Sequence, residues 1–186
     1  MRRIAVLLFA GLMLAGCTTF GTHQPLARHV DLTRYAGRWY IIANIPYFAE
    51  RGNVASFFDV SFPHGAVRDV YHGRSGGFGA KPSRFVMNGY VVKGTEGAYW
   101  RESPLWPLYF SYLILYVDPG YQTALVGYPG RGYGWVLSRH RRMDDGEYHA
   151  LLARFAALGY DTSKFRRIPQ FPDQVGKPGF IHVPKR

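Results

Sequence analysis

The sequence predicts an all-β fold: an eight-stranded up-and-down antiparallel β-barrel with one C-terminal α-helix packed on its wall. Eight segments of strand-forming residues alternate between apolar and polar positions, with turn residues between them. One apolar stripe with helical spacing follows the eighth segment. Aromatic residues make up 17% of the chain, which suits pleated surfaces and an apolar cavity. Eight strands close a barrel wide enough for one small ligand.

The first sixteen residues have the pattern of an export signal. Two arginines precede the apolar run 4–14, which is too short to span a membrane stably. The run ends in Leu-Ala-Gly before Cys17, and small residues before a cysteine resemble the lipobox of bacterial lipoproteins. The chain has one cysteine, so Cys17 has no partner for an intramolecular disulfide. We therefore expect a lipoprotein signal peptide at 1–16 and acylation of Cys17; the alternative is a secretory signal with an incidental cysteine.

The residues after Cys17 indicate where the protein is held. Three acyl chains on one residue exceed the two signals that stable membrane anchoring requires. Thr18 follows the cysteine in place of Asp, which in lipoprotein sorting indicates the outer membrane. Residues 17–30 show no apolar period and are predicted to form a tether. We expect a protein anchored by lipid to the outer membrane and facing the periplasm.

The stretch 31–40 is predicted to form a short helical turn and the start of the first strand. The Asp31 carboxylate can cap the turn at 32–35, and Gly37 lets the chain leave it without a Cβ clash. A large indole at the first inward position of this strand would plug one end of a barrel. The predicted inward residues of the strand are Trp39, Ile41, Ala43 and Ile45.

Three motifs resemble those of the lipocalins. The segment Asp-Leu-Thr-Arg-Tyr-Ala-Gly-Arg-Trp-Tyr at 31–40 is similar to the family's first signature, as the bacterial outer-membrane lipocalins carry it. Residues 116–121 and 135–139 resemble the second and third motifs. The resemblance covers 31–171 and implies a lipocalin domain there. It gives structural roles to Gly37, Trp39 and Arg139, with the Arg139 guanidinium covering the Trp39 indole at the closed base.

Further elements follow in order along the chain. The seven remaining strands are predicted at 54–62, 66–72, 85–92, 98–103, 111–117, 123–128 and 133–139, between Gly- and Pro-rich turns. Asp144 and Glu147 resemble a capping box, and Gly159 suits the end of the helix. We expect 172–186 to be a flexible basic tail. The apolar face of the predicted helix comprises Tyr148, Leu151, Leu152, Phe155 and Leu158.

Alternation along the strands predicts which side chains reach the cavity. Together they describe an apolar cup with a few polar tips, which is typical of small-molecule sites. For each of them, packing in the core is the alternative to ligand contact. The predicted ligand-binding residues are Phe58, Trp100, Glu102, Tyr112, Ile114, Tyr116 and Trp135.

Glu102 departs from the apolar residue that is usual at the matching position of the family. An unpaired carboxylate on an inward face is costly. Three interpretations remain: the strand is offset so that Glu102 lies in solvent, the carboxylate pairs with an Arg or a Tyr hydroxyl, or it contacts the polar head of a ligand. A strand that ends at Ser103-Pro104 favours an offset or a position at the rim.

The sequence gives little support to catalysis. The seven histidines show no metal-ligand spacing, and no Gly-x-Ser-x-Gly or phosphate-binding loop occurs. We therefore expect neither an enzyme nor a metal or cofactor. The resemblance implies a carrier of a fatty acid or lysophospholipid, for lipid storage, transport or membrane maintenance, with the acyl chain in the barrel and the head at the mouth. The alternatives are an envelope scaffold without a ligand and a lipocalin-fold enzyme acting on a bound lipid.

The formal net charge of +11 bears on the partners. Such a balance occurs in nucleic-acid-binding proteins, but no motif of that class is found and export argues against that partner. Two explanations remain: attraction to anionic lipid head groups or lipopolysaccharide, and a basic solvated surface without a specific partner. The resemblance leaves a homodimer open.

Overall fold

The computed structural model describes residues 24–183, so the signal-peptide pattern and Cys17 lie outside the described residues. Its helices are α1 (Leu32–Tyr35) and α2 (Asp145–Ala157). Its strands are β1 (Gly37–Ile45), β2 (Asn53–Ser61), β3 (Val67–Ser75), β4 (Pro82–Val91), β5 (Tyr99–Leu105), β6 (Leu108–Val117), β7 (Thr123–Gly127), β8 (Gly134–Ser138) and β9 (Arg166–Arg167).

The first eight strands form a closed antiparallel barrel. Each pairs with its neighbour in sequence, and β1 pairs with both β2 and β8, which leaves no open edge between them. The short β9 adds to the outer side of β1. The predicted barrel with one main helix after it is confirmed. The β5–β6 hairpin is longer than predicted, since β6 begins at Leu108 rather than at residue 111.

The helix α2 packs on the outer wall of the barrel. Asp144 caps it by accepting a hydrogen bond from the Glu147 amide at 2.9 Å. Tyr148, Leu151 and Phe155 are buried against an outer cluster that includes residues of β1, β6, β7 and β8. No helix among residues 24–183 combines the length and hydropathy needed to cross a membrane.

A β-bulge changes the predicted inward face of β1. The pairing of β1 with β8 shifts between Ile41 and Ala43, so one extra residue reverses the alternation beyond it. Trp39 and Ile41 belong to the barrel interior as expected. Ala43 and Ile45 instead pack in the outer cluster beneath α2, and the expectation that they face inward is wrong.

The segment after the domain differs from the expected loose tail. Within residues 172–183, Ile181 is buried and its amide donates to the Arg167 carbonyl at 2.9 Å. The Arg167 amide in turn donates to the Gly179 carbonyl at 3.0 Å. Gln170, just before this segment, donates from Nε2 to the carbonyls of Ile41 and Ser56. Backbone pairing and apolar burial therefore hold these residues on the barrel.

Candidate ligand-binding site

The base of the barrel is closed by Trp39 and Arg139. The guanidinium carbon lies 3.7 Å from the centroid of the buried indole, within the range of a cation–π contact. The same guanidinium donates to the carbonyls of Arg34 and Arg38, each at 2.8 Å. Gly37 has a φ of +101°, and a Cβ there would lie 3.3 Å from Arg139 Nη1. The three residues named by the first and third motifs therefore meet at one point.

Above the base, aromatic rings fill the lower half of the barrel. Trp100 stacks on Tyr112 with ring centroids 4.5 Å apart and planes 5° apart. The Tyr112 hydroxyl shares a hydrogen bond of 2.9 Å with the Tyr35 hydroxyl. Trp100 and Ile114 have no exposed surface and pack in this lower core. They lie beneath the cavity and form its floor rather than its lining, so ligand contact by Trp100 and Ile114 stays a prediction.

A cavity of about 520 Å³ occupies the upper half of the barrel. Its rim carries aromatic side chains that are partly or largely exposed, including Phe48, Phe85, Phe110 and Tyr133. This volume falls in the range of small-molecule sites. The deeper lining, all of it buried, includes Glu50, Asn53, Phe58, Asp69, Tyr71, Glu102 and Tyr112.

Four of the predicted ligand-binding residues line this cavity: Phe58, Glu102, Tyr112 and Trp135. Tyr116 does not, because a register shift between Ile114 and Tyr116 turns it to the outer wall. There the Arg154 guanidinium of α2 lies 4.2 Å from the centroid of its ring. Tyr116 is thus a contact between helix and barrel.

Three carboxyl side chains, those of Glu50, Asp69 and Glu102, are buried in the cavity wall. The expectation that Glu102 lies at the rim or in solvent is wrong: only 1% of the residue is exposed. Asp69 occupies an inward position of β3, between Val67 and Tyr71, and alternation along that strand would have identified it. Glu50 comes from a 3₁₀ turn after β1, where no sequence period indicates an inward side chain.

Glu50 is held by two hydrogen bonds. Its carboxylate accepts from Asn44 Nδ2 at 2.7 Å and from the Trp135 indole N–H at 3.1 Å. Burial raises the pKa of Glu50 to about 8, because the charged form loses more hydration than these two donors restore. The ionised and neutral forms of Glu50 are therefore both accessible near neutral pH.

Asp69 and Glu102 have fewer hydrogen-bond donors around them than Glu50 has. Among the residues that the structure describes, Asp69 Oδ1 and Glu102 Oε1 find no hydrogen-bond partner. Burial raises the pKa of Asp69, and the nearby charge of Glu50 raises it further. Burial also raises the pKa of Glu102, with an added contribution from the charge of Asp69. The cavity is therefore acidic at depth and aromatic at its mouth, rather than apolar throughout.

A family model described as a lipocalin-like domain matches residues 30–170. This chain belongs to the lipocalin family. The temperature-induced lipocalin-1 of Arabidopsis thaliana is 31% identical over 159 residues, which cover 79% of this lipocalin and 83% of the relative. The outer membrane lipoprotein Blc of Vibrio cholerae is 26% identical over 171 residues, covering 90% and 99%.

Solved structures show the same fold. Insecticyanin from the tobacco hornworm Manduca sexta matches with a TM-score of 0.59, covering 88% of this lipocalin and 89% of that chain, at 16% identity. Lobster apocrustacyanin A1 matches with a TM-score of 0.58, covering 82% and 94%, also at 16% identity. At 16% identity, the structural similarity to these two proteins supports the barrel fold alone.

Proposed function

We propose that this lipocalin is a membrane-anchored carrier of a single-chain amphipathic lipid in the bacterial outer membrane. The observation that carries the proposal is the cavity of about 520 Å³, which is open at an aromatic mouth and closed by Trp39 and Arg139 at its base. A site of this size, reached from one end, suits one alkyl chain with a small polar head. Of the ligands that the family resemblance implies, fatty acids and lysophospholipids both have this form.

Exposed apolar side chains beside the mouth of the barrel support contact with a membrane. The tip of the β5–β6 hairpin exposes Leu105, Trp106 and Leu108 together, and 77% of Trp106 is accessible. On β6 the partly exposed rings of Tyr109 and Phe110 follow them. A contiguous apolar patch of this kind marks a surface for protein or membrane contact. The relatives from Vibrio cholerae and Escherichia coli, both named outer membrane lipoproteins, support the same location.

The anchor itself is tested at Cys17. A Cys17→Ser variant should not incorporate radioactive palmitate, because the thiol that receives the lipid is absent. It should also leave the membrane fraction or accumulate unprocessed, since one anchoring signal is lost. Fractionation and labelling of cells that express the two forms measure both effects. Undiminished labelling of the variant contradicts acylation at this residue.

The carrier function predicts that affinity depends on chain length. Each methylene that enters the barrel adds about 0.8 kcal/mol, or about fourfold in Kd, until the cavity is full. A homologous series of lysophospholipids and alkyl-chain ligands, titrated into the Cys17→Ser protein, should show this rise and then a plateau. Trp135 lines the cavity and reports occupancy by its fluorescence. Calorimetry should show a negative heat-capacity change on binding.

A Trp135→Phe variant is the matched control for this titration. Its fluorescence response should fall, while the affinity measured by calorimetry should keep its dependence on chain length. An affinity that does not change with chain length contradicts the carrier function. Absence of binding to every member of the series would instead favour an envelope scaffold with an empty barrel.

A further inference from the structure

The positions of the charged and aromatic side chains along the cavity indicate which head group the ligand has. Three of the chain's twelve Asp and Glu residues lie in this one wall, although the whole protein carries a net charge of +11. Asp69 is the third residue of β3, counted from the base, and Glu102 follows the floor residue Trp100 by two positions on β5. The carboxyls of Asp69 and Glu102 therefore lie toward the floor, whereas Phe48, Phe85 and Phe110 surround the mouth.

Asp69 and Glu102 lack a partner of opposite charge. Neither forms an ion pair with any residue of the described range 24–183. One oxygen of each accepts no hydrogen bond, and Asp69 and Glu102 are 2% and 1% exposed. Buried carboxyls in proteins are normally paired or bonded, so these two oxygens are sites that a ligand can satisfy.

The chemistry of the wall selects among head groups. A fatty acid that enters head-first would place a further carboxylate beside the carboxyls of Asp69 and Glu102. One that enters tail-first would place methylene groups against them. A protonated amine supplies three N–H donors to the two unpartnered oxygens, and its positive charge favours the ionised forms of Asp69 and Glu102, whose pKa values burial raises. Tyr112 and Phe58 line the same depth, and aromatic faces attract ammonium groups. Within the described residues no group of His, Cys, Asp and Glu has the arrangement of a metal site.

We propose that the barrel binds an amphiphile with a protonated amine, head-first, with the ammonium at Asp69 and Glu102 and the alkyl chain toward the aromatic mouth. This inference rests on the proposed carrier function and names the class of its ligand. It reverses the orientation that the family resemblance implied, in which the acyl chain is deep and the head lies at the mouth. Of the two ligands implied, a fatty acid has a carboxylate head and does not fit this wall.

Three probes of equal chain length test the inference: dodecylamine, 1-dodecanol and dodecanoate. They are titrated by calorimetry into the full chain carrying Cys17→Ser, at neutral pH and below micelle formation. Dodecylamine should bind at least tenfold more tightly than dodecanol, and dodecanoate at least tenfold more weakly than dodecanol. In an Asp69→Asn, Glu102→Gln double variant the advantage of the amine over the alcohol should fall below threefold.

The alcohol is the internal measure of a folded, accessible cavity, because it buries the same chain without a charge. If the double variant loses dodecanol binding, the single Glu102→Gln variant replaces it, and should still lower the advantage of the amine. A Glu147→Gln, Asp173→Asn variant removes two exposed carboxylates instead, and should keep the full preference for the amine.

The outcomes separate the two proposals. Equal binding of the three probes, a preference for dodecanoate, or a preference for the amine that survives the double variant would each overturn the inference and leave the carrier function standing. Absence of binding by all three probes to the unsubstituted cavity would overturn the carrier function itself. A preference for the amine that requires Asp69 and Glu102 supports both.

Discussion

A Trp39→Ala variant is expected to lose about 3–5 kcal/mol of its free energy of unfolding, the usual cost of truncating a buried aromatic side chain. Trp39 has no exposed surface, and its indole N–H donates to the Tyr35 carbonyl at 2.8 Å. Its ring carries the Arg139 guanidinium and lies 4.9 Å from the Tyr35 ring, centroid to centroid. Removal leaves a void at the closed end that the surrounding strands cannot fill. Urea unfolding followed by far-ultraviolet circular dichroism measures the loss.

The matched control is Trp106→Ala, which deletes the same side chain from an exposed position. Trp106 is 77% accessible on the β5–β6 hairpin, so its removal should change the free energy of unfolding by no more than about 0.5 kcal/mol. A Trp39→Ala protein that stays within about 1 kcal/mol of the unsubstituted protein, yet loses ligand affinity, would contradict a structural role for the base.

The closed end of the barrel was predictable because its determinants are local. Asp31 caps the turn, Gly37 adopts a φ that other residues rarely reach, and Trp39 begins the inward face of β1. The partner Arg139 is distant in sequence, and only the resemblance to a known motif joined it to Trp39. The helix α2 was similarly predictable, because its N-cap and its apolar face are both formed by residues close together in sequence.

The inward faces of β1 and β6 were less predictable because alternation fails at bulges. Register shifts in β1 and β6 reverse the inward face beyond Ile41 and Ile114, and so misplace Ala43, Ile45 and Tyr116. Nothing in a single sequence marks where an extra residue will be accommodated in a strand. The cost of burying a carboxylate argues against an inward Glu102, but binding sites often contain such buried carboxyls.

The pH dependence of stability should reveal Glu50. Burial raises the pKa of Glu50 to about 8, so the folded state keeps a proton that the unfolded chain releases near its ordinary value of 4.5. The contribution of Glu50 to the free energy of unfolding is therefore fully present below pH 4.5. It is lost as the pH rises through about 8. The free energy of unfolding should fall between about pH 5 and pH 8.5, with Glu50 contributing on the order of 4 kcal/mol. Asp69 and Glu102, whose pKa values are also raised, act in the same direction.

A Glu50→Gln variant should show a shallower fall over the same range, because it has no proton to lose at this site. Its amide can still accept from the Trp135 indole, and its NH₂ group can donate to Asn44 Oδ1, which has no partner among the described residues. The difference between the two proteins reports Glu50 together with the effect of its charge on Asp69, since His72, whose pKa burial lowers, affects both alike. Glu147→Gln, an exposed carboxyl on α2, is the control and should follow the unsubstituted protein. Urea midpoints across this pH range measure the free energy of unfolding of all three proteins. If that free energy falls with pH equally in Glu50→Gln and in the unsubstituted protein, Glu50 ionises without cost, and water reaches it in the folded barrel.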